Sequence, residues 1–189
     1  MRKLKLQMNT TIDGFVAGPN GELDWMILDD NDENNYANDL IDSSDTILMG
    51  RKMTDEFVKY WTDVVENQPE SSWYEFAKKM VDTPKVVFTK TLDESPWANT
   101  TLAKGDLVDE VNQLKKQSGK DILAYGGAGF ASSLIKENLI DEYYFFVNPV
   151  AIGKGKEIFN RVNETFKLKL IKSQSLESGV ILQCYEPKR

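Results

Sequence analysis

Hydrophobic positions along the chain switch between two periods. Over residues 3–9, Leu4, Leu6 and Met8 alternate with Lys3, Lys5 and Gln7, which predicts a strand with one buried face. Apolar runs of strand length follow within Asp45–Met49, Pro84–Lys90, Ile122–Tyr125 and Tyr143–Val147. The last of these lacks alternation, so both its faces are expected to be buried. Between the runs the spacing turns helical. Tyr36, Leu40 and Ile41 mark a short amphipathic helix inside the acidic stretch 29–42, and a second helical segment covers 53–60. Residues 61–83 are the least regular, with Trp61, Trp73, Tyr74 and Phe76 among polar neighbours, a break at Pro69 and a helix expected from about 71 to 80. A short strand is expected at 99–103. Asp106 then caps a helix running to Lys116, with Leu107, Val111 and Leu114 on one face. Ala131, Leu134 and Ile135 mark another helix. Phe166, Leu168 and Leu170 alternate as a strand, Ser178-Gly179 turns, and Val180–Tyr185 is a last strand antiparallel to its neighbour. Strands interleaved with helices indicate an α/β fold with a mixed, largely parallel sheet, in one domain over residues 1–189.

In such sheets ligands bind beyond the carboxyl ends of the strands, and the chain concentrates unusual chemistry there. After the run ending at Tyr125, Gly126, Gly127 and Gly129 allow a sharp turn and a close backbone approach, and Ala128 precedes a helix start. An exposed helix N-terminus beside glycines suits a phosphate or pyrophosphate, although a tight turn that binds nothing fits as well. Gly127-x-Gly129-x-x-Ser132 is only a fragment of the dinucleotide fingerprint. Asp141 and Glu142 precede the next strand, whereas a Rossmann site wants its acidic residue at that strand's end. Met49-Gly50-Arg51-Lys52 repeats the strand–glycine logic with two cations, and Thr89-Lys90 ends a third strand with a hydroxyl and a cation. The first strand runs into a loop over residues 10–21, with turn chemistry at Asp13-Gly14 and Gly18–Gly21, which Asp24-Trp25 closes. Asp13 can be a proton-transfer residue or a turn former, and Trp25 a loop anchor or a stacking surface for a ligand. Four candidate elements at strand ends point to one elongated anionic ligand, and a dinucleotide has the required length and charge.

Composition narrows the chemistry. The formal net charge of -7 argues against a broad nucleic-acid footprint. No stretch approaches a membrane span, and the single cysteine, Cys184, reads as a small buried hydrophobe compatible with a reducing, cytoplasmic setting. The chain has no histidine, so a zinc site or a Ser-His triad is not expected. Acid–base work falls to carboxylates such as Asp13 or Asp24, or to water.

The order of motifs resembles a known family. Thr11-Ile12-Asp13-Gly14-Phe15-Val16-Ala17-Gly18, Met49-Gly50-Arg51-Lys52, Val87-Phe88-Thr89-Lys90-Thr91-Leu92, Tyr125-Gly126-Gly127-Ala128-Gly129, Asp141-Glu142 before an aromatic strand, and a glycine-lysine loop ending in Phe159 follow one another over roughly residues 2–186. The set resembles the dihydrofolate reductase-like superfamily, closest to the C-terminal reductase domain of bifunctional riboflavin-biosynthesis proteins and its stand-alone bacterial relatives. The resemblance implies an eight-stranded mixed sheet, NADPH as cofactor, hydride transfer as chemistry and a homodimer through the C-terminal strands. It implies that Gly126, Gly127, Ala128 and Gly129 hold the pyrophosphate and that Gly50, Arg51 and Lys52 meet the adenosine-side phosphates. It further implies that Thr89 and Lys90 flank the 2′-phosphate, that Ala17 and Gly18 border the nicotinamide, and that Trp25 closes the mobile loop on the substrate side. Dihydrofolate reductases also carry a buried carboxylate on the first helix. Asp24, Asp29, Asp30, Asp32, Glu33 and Asp39 all fall in that region here. The expected function is an NADPH-dependent reductase of a small pteridine-like, other heteroaromatic or carbonyl substrate. The alternative is a nucleotide-binding module of the same fold without turnover.

Overall fold

The computed structural model describes residues 1–27 and 31–188, with the side chains of Asn31 and Asp32 excepted. Asp29, Asp30 and the side chain of Asp32, three of the acidic candidates, therefore lie outside the described residues. The strands are β1 (Leu4–Thr11), β2 (Ser44–Gly50), β3 (Lys85–Phe88), β4 (Thr100–Ala103), β5 (Asp121–Ala124), β6 (Glu142–Asn148), β7 (Leu168–Ser175) and β8 (Ile181–Pro187). The helices are α1 (Asn31–Asp42), α2 (Arg51–Asn67), α3 (Tyr74–Asp82), α4 (Leu107–Lys116) and α5 (Ala128–Lys136). The hydrogen-bonded strand order is β4-β3-β2-β5-β1-β6-β8-β7. Pairings β3–β4, β2–β3, β2–β5 and β1–β6 are parallel, and β6–β8 and β7–β8 are antiparallel. This is the mixed, mostly parallel, eight-stranded α/β architecture expected.

The chain forms two compact units, Met1–Arg2 with Asn34–Gly127 and Lys3–Glu33 with Ala128–Arg189. The first unit is built on β2, β3, β4 and β5. α2 buries Thr54, Phe57, Trp61 and Val64 at helical spacing. These side chains enter a core with Ile47, Met49, Phe76, Ala77, Met80, Val87 and Leu123. The helix continues through Asn67, well past residue 60, so Trp61 belongs to its buried face rather than to an irregular segment. Trp61 meets Phe76 edge to face at 5.1 Å, and Trp73 meets Phe76 at 5.5 Å. Arg2 staples this unit. Its guanidinium is almost wholly buried and donates to Asp45, to Thr46 Oγ1 (2.7 Å) and to the Lys120 carbonyl. Asp45 Oδ2 in turn accepts from the Lys120 N–H (2.8 Å). Lys85 is also buried, and its ammonium donates to the carbonyls of Val81 (2.9 Å) and Thr83 (2.8 Å) where α3 ends.

The second unit is built on β1, β6, β8 and β7. Leu4, Leu6, Tyr143, Phe146, Leu182 and the α5 residues Ala131, Leu134 and Ile135 are buried in it. β1 departs from the alternating pattern: Lys5 and Gln7, expected on a solvated face, are buried at 7% and 6% exposure. The reason is pairing, because β1 runs parallel to β6, and parallel sheets are covered on both faces. Gln7 Oε1 has no hydrogen-bond partner among the described residues. Cys184 is buried as expected, and burial pushes its thiol up to about 11.

Candidate functional site

In the first unit, three parallel strands deliver their carboxyl ends side by side. β2 ends at Gly50, β3 at Phe88 and β5 at Ala124, with Met49 level with Val87 and Leu48 with Ala124. This register gathers Gly50-Arg51-Lys52, Thr89-Lys90 and Gly126-Gly127 at one edge. α2 begins directly after Gly50, which caps it without a side-chain hydrogen bond, and its first turn carries no acidic residue. A helix start of this kind, with unpaired N–H groups and a positive dipole end, is suited to an anion. A Cβ on Gly127 would sit 3.7 Å from Met53 Sδ, so the glycine turn lies against the first turn of that helix.

Arg51 is held from two sides. Its Nη1 donates to Asp55 Oδ2 (2.9 Å), and its guanidinium lies over the Trp97 ring, 5.4 Å from the centroid. Trp97 Nε1 donates to the other Asp55 oxygen (3.0 Å), closing the triangle. Arg51 Nε, although buried, has no hydrogen-bond partner among the described residues. The edge carrying Nε is one that can grip two oxygens of a phosphate or carboxylate at once. Asp55 and Trp97 were not among the sequence candidates. The i, i+4 spacing of Arg51 and Asp55 on one helix was the available signal, and nothing local ties Trp97 to either.

Thr89 and Lys90 are engaged differently from Arg51. Thr89 is buried, and its Oγ1 accepts the N–H groups of Thr91 (3.1 Å) and Leu92 (3.2 Å). Lys90 Nζ donates to the carbonyls of Lys104 (2.6 Å) and Gly105 (2.8 Å). Both side chains shape the loop after β3, and an anion would have to draw Lys90 away from those carbonyls.

In the second unit the β1 loop is strapped to the segment after β6. Val16 N–H donates to the Lys156 carbonyl (2.9 Å), and Lys156 N–H returns a bond to Ala17 (2.8 Å). A Cβ on Gly155 would collide with the Ala17 carbonyl, so glycine is required there. Asp13, on the exposed side of the turn, accepts the N–H groups of Gly153 (2.7 Å) and Ile152 (3.2 Å). A hydrogen bond from the Thr11 hydroxyl, and after it those from Gly153 and Ile152, hold its carboxyl below the ordinary range despite an opposing effect of burial. Asp13 therefore stays ionised and fastens a turn. Gly18 closes a tight turn with Glu22, whose carboxylate is pinned by Asn20 and occupies the space a Cβ would need. Gly18, Glu22, Asp24, Trp25, Ile152 and Lys154 line a cavity of about 340 Å³. Three sequence candidates, Gly18, Asp24 and Trp25, thus share one cavity, and Trp25 anchors itself through Nε1 to the Glu22 carbonyl (3.2 Å). Ala128 and Gly129 open α5, and the space beside Gly129 is clear to 4 Å.

A part-buried polar row starts at Ile27, beyond the β1 loop. Among the acidic candidates, Asp24 and Asp39 are exposed, whereas Glu33 is only 1% exposed. Glu33 Oε1 accepts from Asn9 Nδ2 (2.8 Å), Asn9 Oδ1 accepts from Asn148 Nδ2 (2.8 Å), and Asn148 Oδ1 accepts the Ile27 N–H (3.0 Å). Asn9 and Asn148 escaped the sequence reading because an asparagine at a strand end reads as turn chemistry.

Comparison with known proteins agrees with this architecture. Residues 2–182 match the family model of the RibD C-terminal domain, and the chain belongs to that family. It is 34% identical over 184 residues to the uncharacterized protein YyaP of Bacillus subtilis (strain 168), covering 97% of this chain and 94% of that one. Among solved structures, a putative riboflavin biosynthesis protein from Shewanella sp. PV-4 superposes with a TM-score of 0.78 at 24% identity, covering 99% of both chains. A diaminohydroxyphosphoribosylaminopyrimidine deaminase/5-amino-6-(5-phosphoribosylamino)uracil reductase from Thermotoga maritima gives a TM-score of 0.70 at 16% identity. There the match covers 98% of this chain and 56% of the other. The fold is that of the RibD C-terminal domain family. Among the described residues, no helix is long and apolar enough to cross a membrane.

Proposed function

We propose that this chain is an NADPH-dependent reductase of a small pteridine-like, other heteroaromatic or carbonyl substrate. The observation that carries this reading is Arg51, whose buried Nε has no partner among the described residues while Asp55 and Trp97 hold the guanidinium beside the start of α2, which has no side-chain cap. A buried arginine donor left open costs free energy unless a ligand completes it. In the first unit, Arg51, Lys52, Gly126 and Gly127 would bind phosphates, with Thr89 and Lys90 shaping the neighbouring loop. In the second, Ala17 and Gly18 would border the nicotinamide, and Ala128 and Gly129 would contribute helix N–H groups. NADPH supplies the hydride when bound.

The substrate side belongs to the second unit. Glu33 would take the buried-carboxylate role of the first helix, accepting N–H groups of a heteroaromatic ring and fixing its orientation. Trp25 would cover the ring, and Asp24, exposed on the same cavity, would pass a proton from water. Family membership supports a reductase. The pteridine-like class rests on Glu33. We further propose a homodimer, supported by the exposed apolar side chains Leu170, Ile171 and Ile181 on β7 and β8.

The test is loss of NADPH absorbance with a panel of pterins, flavin precursors and simple carbonyl compounds. Turnover of any panel member that drops at least tenfold in Arg51→Ala supports the reading. NADPH binding without turnover of any compound would favour the nucleotide-binding module instead.

A further inference from the structure

The polar row Ile27–Asn148–Asn9–Glu33 has a fixed direction. A backbone N–H can only donate, so the atom of Asn148 facing Ile27 is its oxygen, and its amide nitrogen must face Asn9. Asn9 therefore presents its oxygen to Asn148 and its nitrogen to Glu33. The Asn148 nitrogen finds a second acceptor in the Phe146 carbonyl (3.1 Å), which fixes the side chain further. Asn148 is 0% exposed and Glu33 1%, with Asn9 and Ile27 half-buried, so these bonds are partly shielded from water. Ile27 lies at the far end of the segment that starts at Asp13, and Asp13 and Ala17 tie the near end to residues 152–156. The loop is anchored at both ends, and the Ile27 anchor leads through side chains to a buried carboxylate.

We propose that Asn148 and Asn9 are positioning residues that couple the end of the β1 loop to the Glu33 carboxylate. With the loop seated, the Ile27 N–H orients Asn148, Asn148 orients Asn9, and Asn9 aims a donor at Glu33 Oε1. With the loop lifted, Asn148 keeps the Phe146 carbonyl but loses the donor on its oxygen, so its hold on Asn9, and through Asn9 on Glu33, loosens. The inference rests on the substrate-facing role of Glu33 given above, and it extends that role by making the carboxylate's orientation depend on loop closure.

The test is hydrogen exchange of individual backbone amides, followed by NMR in the protein without ligand. In Asn9→Ala, which leaves Ile27 and its acceptor Asn148 in place, the Ile27 amide is expected to exchange roughly fivefold faster, as loss of one hydrogen bond of about 1 kcal/mol requires. Glu33→Gln, which keeps an acceptor for Asn9, should leave Ile27 close to wild type, whereas Glu33→Ala should speed it. Amides in the core of the first unit, such as Val111, should be unchanged in all three. Unchanged Ile27 exchange in Asn9→Ala would overturn the coupling, and so would an equal acceleration at every amide, which marks general loosening. Because no substrate is used, failure of the relay is separable from failure of the reductase reading. Turnover with unchanged Ile27 exchange sinks the relay alone, and absent turnover with the predicted exchange sinks only the reading of its purpose.

Discussion

Asp45→Ala should be among the most damaging substitutions outside the candidate site. Arg2 has a side-chain exposure of 5%, so its charge cannot be rehydrated without moving β2, and Asp45 is its only anionic partner in the ion pairs of the described residues. Breaking a buried ion pair by removing one partner costs about 3–5 kcal/mol. The Asp45 side chain is 40% exposed, so water can enter the space it leaves, which places the cost near the low end, at about 3 kcal/mol. The same substitution strips the acceptor from the Lys120 N–H. For a chain of this size about 3 kcal/mol corresponds to a fall in Tm of roughly 6–12 °C. Thermal unfolding followed by tryptophan fluorescence, with urea denaturation for the free energy, reads the change. The paired variant Arg2→Met with Asp45→Ala should recover much of the loss, because no uncompensated charge then remains buried. A single-variant loss below about 0.5 kcal/mol, the scale of ordinary surface changes, would refute the reasoning.

Four further outcomes follow from particular side chains. Burial lowers Lys85 from 10.5 to about 8, so between those values the unfolded chain holds more protons than the native one and stability rises with pH. Measured against Lys85→Met in urea, the wild type should therefore gain relative stability from about pH 8 to about pH 10.5, and a flat difference would contradict the assigned burial effect. Gln7→Leu removes a buried acceptor without a partner, and about 1 kcal/mol of added stability is expected in the same assay, with destabilisation as the contrary result. Gly155→Ala should loosen the Val16–Lys156 and Ala17–Lys156 bonds, seen as faster hydrogen exchange at Val16 and Lys156, whereas unchanged exchange there would show that the loop absorbs the Cβ. Light scattering should give twice the 21.5 kDa chain mass, reduced to the monomer by Ile171→Lys, and a monomeric wild type would end the dimer proposal.

Where the sequence was legible, one period dominated. The runs at Ile47–Met49, Ile122–Ala124 and Tyr143–Val147 became largely buried strands, and Asp106 caps α4 by accepting from Val108 and Asp109 as its position suggested. The strand-end logic held inside the first unit, where β2, β3 and β5 bring Arg51, Lys90 and Gly127 to one edge. What escaped was set by tertiary position. Lys5 and Gln7 alternate like a solvated face but sit on a strand paired in parallel and covered on both faces, and only the pairing reveals that. Arg2 reads as part of a basic terminus until Asp45, 43 residues on, is folded against it. Glu33 was one acid among several in a solvated run, and only burial and Asn9 single it out. Trp97 and Asp55 acquire meaning only because Arg51 lies between them.

The central claim is a phosphate-gripping Arg51 in an NADPH-binding chain, and the most direct test is titration of the purified protein with NADPH and then NADH, following tryptophan fluorescence. The account predicts micromolar NADPH binding with much weaker NADH binding. It also predicts that Arg51→Ala weakens NADPH by roughly 10- to 150-fold, the worth of about 1.5–3 kcal/mol for a charged hydrogen-bonding group. Binding of neither nucleotide, or NADPH binding indifferent to Arg51→Ala, would contradict it.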